Sequence, residues 1–420
     1  MEIARSFGWA LLNAIPSIFI NPFLYLFCIL LWMHYRRQTL FERKLFSVRI
    51  NNHWTQMFDS LLSGLLPGLL LSVIAFSGGL IIEPITMVMV GAVAFLLACF
   101  HIQYLCAAYA GGMIALLSWA AKHWSQAIDL NLPVIGWVWS KLAAVNIPSL
   151  LIMIALLHLA EAYLIRKNAG VGSTPVLLSG RRGLSYGAYQ LQKFWFVPFF
   201  ALTPSTNYGL TAFMPEWWPY FSGGSLTGVT FSLLPIFIGN TDLAIAQVPQ
   251  AKAKQSAKLL VVFSLLLLGL AIGSFYETSL GIVAAGFAIL GHDLLIRFAN
   301  WREQSRSPLF VQLSRGVRVL AVIPGTPAHR LGIEIGEIIV KVNGIDVSRS
   351  EEIYPALQAN PAFCKIEVLN AAGNSKYLQC SIYQGDHHQL GLILSPDELT
   401  EMYVEMKAVS LVRLIRSAGR

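Results

Sequence analysis

The sequence predicts an α-helical polytopic membrane region of about eight or nine spans over residues 1–300. A small α+β domain folded as a partly open β-barrel follows over 301–395, and a helical tail over 396–420. Three observations predict this. First, 55% of the 420 residues are apolar and only 12% are charged, with a mean hydropathy of +0.60; a soluble surface needs about a quarter of its residues charged. Second, the deficit is local: residues 1–300 hold 17 Lys/Arg and 10 Asp/Glu, whereas 301–420 hold 13 and 12. Third, apolar runs of about 20 residues give way after residue 300 to short alternating segments between Gly, Pro and Asn turns.

Taken in order, the runs of spanning length are 16–35, 57–77, 84–102, 104–121, 146–165, 192–210, 226–246, 259–276 and 279–298. Arg5 precedes an apolar stretch holding Pro16 and Pro22, which reads as an uncleaved first span. Runs 192–210 (Pro198, Pro204) and 226–246 (Asn240, Asp242) are the weakest, and re-entrant or interfacial placement stays open for both. Basic residues cluster in the connections at 36–49, 166–193 and 252–258 and after the last span, while 78–83 and 204–224 have none. Placing the basic loops in the cytoplasm puts residues 301–420 there, the N-terminus outside, and Glu216–Tyr220 in an external aromatic belt. The sequence pI of 9.2 is then juxtamembrane charge rather than a nucleic-acid surface.

Residues 300–306 are expected to form a short polar link. Beyond it, Val317–Val322 predicts a strand, Pro324–Pro327 a turn, and Ala328–Leu331 one helical turn stopped by Gly332. Glu337–Val342 predicts a strand closed by Asn343-Gly344, a pair suited to φ > 0. A short strand at 345–347, a helix over about 350–359, and strands 365–369 and 376–382 around Ala372-Gly373-Asn374 complete the domain.

Gly316-Val317-Arg318-Val319, Pro324-Gly325-Thr326-Pro327-Ala328 and the run from Gly332 to Gly344 stand in an order and spacing that resembles the bacterial PDZ family. The resemblance implies a domain that binds an extended peptide as an added strand, often capturing a C-terminal carboxylate on backbone N–H groups. The loop for this is expected at Gln389-Leu390-Gly391-Leu392-Ile393-Leu394, with Leu390, Gly391, Leu392 and Ile393 at the peptide and Ile353 and Leu357 of the 350–359 helix as the facing wall. Its position after the other strands is similar to the circularly permuted bacterial variant. Two alternatives stay open: Pro308-Leu309-Phe310 as the loop, and Leu390 and Leu392 as plain core residues. In the tail, Leu399, Met402, Met406 and Val409 recur at helical spacing, as in a helix packed on its own domain, on a partner or on the membrane surface.

Catalytic signatures fail at required positions. No HExxH occurs, and His292-Asp293-Leu294-Leu295-Ile296 lacks the second His. His158 and Glu161 share a helix face, with no third ligand evident in the sequence. Gly223-Gly224-Ser225-Leu226 departs from a rhomboid-type Gly-x-Ser-Gly at its last residue, and no segment remains for a trypsin-like domain. The five cysteines (Cys28, Cys99, Cys106, Cys364, Cys380) form no CxxC or disulfide pattern. No enzyme activity, metal or cofactor is therefore expected. His101, His158, Glu161, His292 and Asp293 within or beside spans read as interhelical hydrogen bonding or span ends; a proton or metal path is the sharper alternative. Gly64/Gly68 and Gly224/Gly228 match the small-residue spacing that permits close packing.

A multi-span chain without catalytic signature and with a terminal domain of this kind resembles the MinJ-type topological determinants of cell division in rod-shaped Gram-positive bacteria. The resemblance implies a membrane adaptor at septum and poles, linking a DivIVA-like polar scaffold to a MinD-like division inhibitor. Its partners are then the lipid bilayer, those two proteins and a peptide segment, without nucleic acid, and homo-oligomerisation stays open. A PDZ-containing intramembrane protease and a PDZ-regulated transporter are the competing classes.

Overall fold

The structure is a computed structural model describing residues 9, 12–16, 18–124, 133–180, 185–204, 218, 228–383 and 390–397. Residues 398–420 of the expected tail helix, Gln389, Gly223–Leu226 and all of the aromatic belt but Trp218 lie outside the described residues. The N-terminal region is helical: α1 (Pro22–Phe46), α2 (His53–Ser63), α3 (Leu65–Gly78), α4 (Pro84–Phe100), α5 (Ala107–His123), α6 (Pro133–Ala144), α7 (Ile147–Leu164), α8 (Pro249–Gly273) and α9 (Ser279–Gln304). Helix starts follow local chemistry. Asn21 accepts from Phe23 N with Pro22 at the first turn, and Asn146 accepts from Ser149 N ahead of Pro148.

Eight or nine spans proves too many. Among the described residues, four helical stretches are long and apolar enough to cross a membrane: His53–Gly78, Ile147–Ala169, Pro249–Gly273 and Ser279–Gln304. The pair Leu12–Ile20 and Pro22–Phe46, bent by 59°, makes a fifth if it counts as one span. Helices α4 and α5 stop at 17 residues, about 25 Å against a hydrocarbon core of about 30 Å. The stretch containing α7 has 83% of its apolar window buried inside the protein, so it is the central pillar around which the others pack.

The described residues of the two weakest expected spans lie largely in strands. β2 (Ser185–Pro204) pairs antiparallel with β1 (Thr174–Ser179) on one side and β3 (Val229–Ala244) on the other. Pro198 and Pro235 are register partners, tolerable only where both missing N–H groups would point away from the shared ladder. The rest of β2 agrees: Phe200 N donates to Ser72 Oγ (2.9 Å) and Leu202 O accepts from Ile82 N (2.9 Å). Phe196, Pro198 and Phe200 thus turn their backbone toward the α2–α3 segment. Gly64, Gly68 and Ser72 meet Phe196, Pro198 and Phe200 in turn. A four-residue helical step of about 6 Å nearly matches a two-residue strand step of about 6.6 Å. The small-residue spacing at Gly64 and Gly68 therefore serves helix-on-strand contact.

The C-terminal sheet has the order β8-β7-β5-β4-β9, with β6 off β5. Its strands are β4 (Val317–Val322), β5 (Ile338–Val342), β6 (Ile345–Asp346), β7 (Phe363–Leu369), β8 (Ser375–Ser381) and β9 (Leu392–Leu394), with short helices α10 (Pro327–Arg330) and α11 (Ser350–Gln358). Asn343 (φ 51°) and Gly344 (φ 82°) form the left-handed pair that closes β5 onto β6. Cys364 and Cys380 are register partners across β7 and β8 and form no disulfide, and burial pushes the Cys364 thiol up to about 12.

Helix α11 is started by Glu352, whose Oε2 accepts from Ser348 N (2.7 Å) and Arg349 N (3.2 Å). Those backbone bonds hold the carboxyl below its usual range. Because the folded state depresses this group, the cap contributes its full stability above the ordinary carboxylate range and loses it as pH falls through the lowered value. The protection of the Ser348 and Arg349 amides relative to their intrinsic exchange at each pH is therefore expected to fall on acidification, and to be low throughout the series in Glu352→Ala. Hydrogen–deuterium exchange across an acid pH series checks this.

Residues 300–304 are not a link but the last turn of α9. Glu303, 2% exposed, accepts from Ile245 N and Ala246 N (both 2.8 Å) and from Gln247 Nε2 (2.9 Å). Buried Lys252 sits 3.6 Å from it and 3.3 Å from Asp242. The C-terminal domain is docked rather than dangling. Gly187 N donates to Phe310 O (2.7 Å), Leu309 N to Ile245 O (2.9 Å), and Tyr189 Oη to Leu320 O. Phe310, Leu320, Ala321 and Ile393 belong to the same buried cluster as Tyr189, Leu191 and the helix bundle.

Candidate peptide-binding edge

β9 is, with β8, one of the two edge strands of the C-terminal sheet. It is short and enters through two consecutive left-handed residues, Leu390 (φ 59°) and Gly391 (φ 78°). Gly391 is required twice over: its φ disfavours a side chain, and a Cβ there would overlap the Thr326 side chain. Gly391 O accepts from Ile323 N (2.9 Å) and Ser395 N donates to Arg318 O (2.9 Å). Alternate residues Leu392 and Leu394 therefore turn their N–H and C=O away from β4. Among the described residues, no strand pairs with that outer side.

Of the six expected peptide-site residues, the structure brings Leu390, Leu392, Ile353 and Leu357 into one buried cluster, with Ile353 and Leu357 each 3% exposed. Ile393 points to the opposite face, into the cluster shared with the membrane region. At the far end of β9, Ser350 Oγ donates to Asp397 Oδ2 (2.6 Å), tying the start of α11 to the residues after the strand. The alternative loop, Pro308-Leu309-Phe310, is committed elsewhere: Phe310 is fully buried against Gly187.

A second cluster escaped sequence reasoning. Cys106, immediately before α5, His158 of α7 and His292 of α9 place their donor atoms within 4.8 Å of one another. The residues contributing these atoms lie 52 and 186 positions apart along the chain, so no local spacing announces them. The sequence signal was the cost of burying two histidines in apolar helices.

An antiparallel sheet with two short helices, joined to apolar helices of membrane-spanning length, defines a membrane-type helical protein with a small C-terminal β domain. Residues 318–369 match the family described as PDZ domain. The chain is 31% identical over 396 residues to the cell division topological determinant MinJ of Bacillus subtilis, covering 93% of this chain and 96% of that one. It is 25% identical over 303 residues to a probable MinJ of Lacticaseibacillus paracasei, 68% of this chain and 76% of that one. Similarity to a putative serine protease HhoA of Synechocystis is 31% over 80 residues, 19% of this chain and 17% of that one. The chain belongs to the MinJ family of cell division topological determinants.

Proposed function

We propose that the protein is a non-catalytic membrane adaptor that positions division proteins at septum and poles. It does so by accepting a partner's extended segment along the outer edge of β9. The observation that carries this reading is the outward-turned backbone of Leu392 and Leu394 beside the Leu390-Gly391 entry. An added strand takes its affinity from main-chain hydrogen bonds, and the backbone N–H groups around Gly391 donate to a terminal carboxylate. Ile353 and Leu357 back the wall of the groove, and Ile393 anchors the edge to the membrane region. In this reading the domain is cytoplasmic on a multi-pass anchor, and its partners are a DivIVA-like scaffold and a MinD-like inhibitor. Confinement to a surface raises the effective concentration of the edge over a free domain.

The test is Gly391→Val in the full-length chain fused to a fluorescent protein. The wild type is expected to concentrate at septa and poles. The variant is expected to remain in the membrane but spread uniformly, with septa misplaced as in a deletion strain. Uniform wild-type fluorescence with normal septum placement overturns the reading. A variant that localises normally removes the β9 edge from it.

A further inference from the structure

We propose that Cys106, His158 and His292 form a Zn(II) site that staples α5, α7 and α9 together inside the helix bundle. Cys106 Sγ lies 3.2 Å from His158 Nε2 and 3.7 Å from His292 Nε2. With Zn–S of about 2.3 Å and Zn–N of about 2.0–2.1 Å, tetrahedral geometry places a sulfur and a nitrogen ligand about 3.6 Å apart. Both sulfur–nitrogen separations lie within a few tenths of an ångström of that value.

The surroundings fit ligands rather than ordinary interhelical hydrogen bonding. His158 Nδ1 lies 2.7 Å from Ile154 O, one turn back on its own helix. As the donor to that carbonyl, Nδ1 carries the proton and leaves the Nε2 lone pair facing the thiol, as metal-ligating histidines are typically held. His158 is 1% exposed and His292 is 6% exposed. His292 Nδ1 is buried with no hydrogen-bond partner, so Nε2 is its one contact with a polar group in the cluster. Phe263 packs its ring edge-on to both imidazoles (5.5 Å each), and Tyr109 packs on His292 (5.2 Å), forming an aromatic shell.

Two buried imidazoles and a thiol without an ion would satisfy one another poorly, because a thiol is a weak donor and acceptor. Thiolate with imidazole is a donor set suited to zinc, and carboxylate-preferring Mg(II) and Ca(II) are disfavoured. Among the described residues no fourth His, Cys, Asp or Glu joins the cluster, so one coordination position stays open. Binding releases the Cys106 thiol proton to solvent, and the thiolate and both neutral imidazoles become the protein's three bonds to the ion.

The experiment uses tag-free full-length protein purified in detergent, with metal content read by mass spectrometry. Wild type is expected to carry about one zinc per chain, and Cys106→Ser and His292→Ala to fall to background, because a three-donor site loses most of its affinity with one donor. His329→Ala, an exposed histidine of the C-terminal domain, should keep its zinc. A chelator should lower the melting temperature of wild type and leave that of Cys106→Ser unchanged. Should the variants fold poorly, cobalt substitution of wild type decides the matter: thiolate-to-cobalt charge-transfer absorption is expected in the near ultraviolet. Wild type without zinc and without that absorption overturns the proposal, as does copper found in zinc's place or zinc retained by both variants.

Discussion

Replacing Glu303 with alanine is expected to destabilise the protein by about 3–5 kcal/mol, the cost of breaking a buried, hydrogen-bonded ion pair by removing one partner. Glu303 sits in the last turn of α9, where a negative charge opposes the helix dipole. It is held there by Ile245 N, Ala246 N, the Gln247 amide and Lys252, whose ammonium is fully buried. Removing the carboxylate orphans two backbone donors and leaves Lys252 with Asp242 alone. The neighbouring Leu309–Ile245 hydrogen bond joins the C-terminal domain to this corner, so its docking should loosen as well. Glu303→Gln keeps acceptors for the amides and should fall between alanine and wild type. Lys252→Met should cost less in the Glu303→Gln background than alone, since the two changes remove one interaction. Thermal and denaturant unfolding in detergent measure all four; a Glu303→Ala protein within about 0.5 kcal/mol of wild type would remove the cluster from the ledger of stabilising contacts.

Gly68→Leu is expected to be the second most damaging single change, at about 3 kcal/mol, the upper part of the usual range for overpacking. A Cβ at Gly68 overlaps the Pro198 carbonyl oxygen, and one at Gly64 overlaps that of Phe196. A backbone oxygen cannot rotate away as a side chain can, so the strand itself must move and the Phe200–Ser72 bond goes with it. Gly269→Ala is the contrast: nothing lies within 4 Å of a Cβ there. In a helix interior it should stabilise by about 0.5–1 kcal/mol. Melting temperatures that move the same way for both glycines would contradict the packing argument.

The hairpin explains why span counting fails here. Apolar runs such as Phe194–Leu202 and Phe231–Ile238 carry no period that separates a buried strand from a buried helix. Their aromatic content and the facing prolines Pro198 and Pro235 favour a strand, but that signal becomes decisive only once the register partners are known. The supposed link at 300–306 misled for a related reason: the polar residue that made it look solvated, Glu303, is polar because it caps another segment's backbone. Likewise Gly64 and Gly68 announce close packing without saying that the partner is a strand.

By itself the sequence determined the apolar character of the first 300 residues, the rise in charge content beyond them, and the turns of the C-terminal sheet. Charge content is a sum over residues, and Asn343-Gly344 and Leu390-Gly391 act through their own backbone torsions, so neither needs a distant partner. The tertiary structure alone decided that β2 and β3 pair, that the β4–β9 face rests on Tyr189 and Gly187, and that Cys106 meets His158 and His292. Each of these depends on groups brought together from segments that say nothing of one another locally, because proximity in space is set by packing and not by order along the chain.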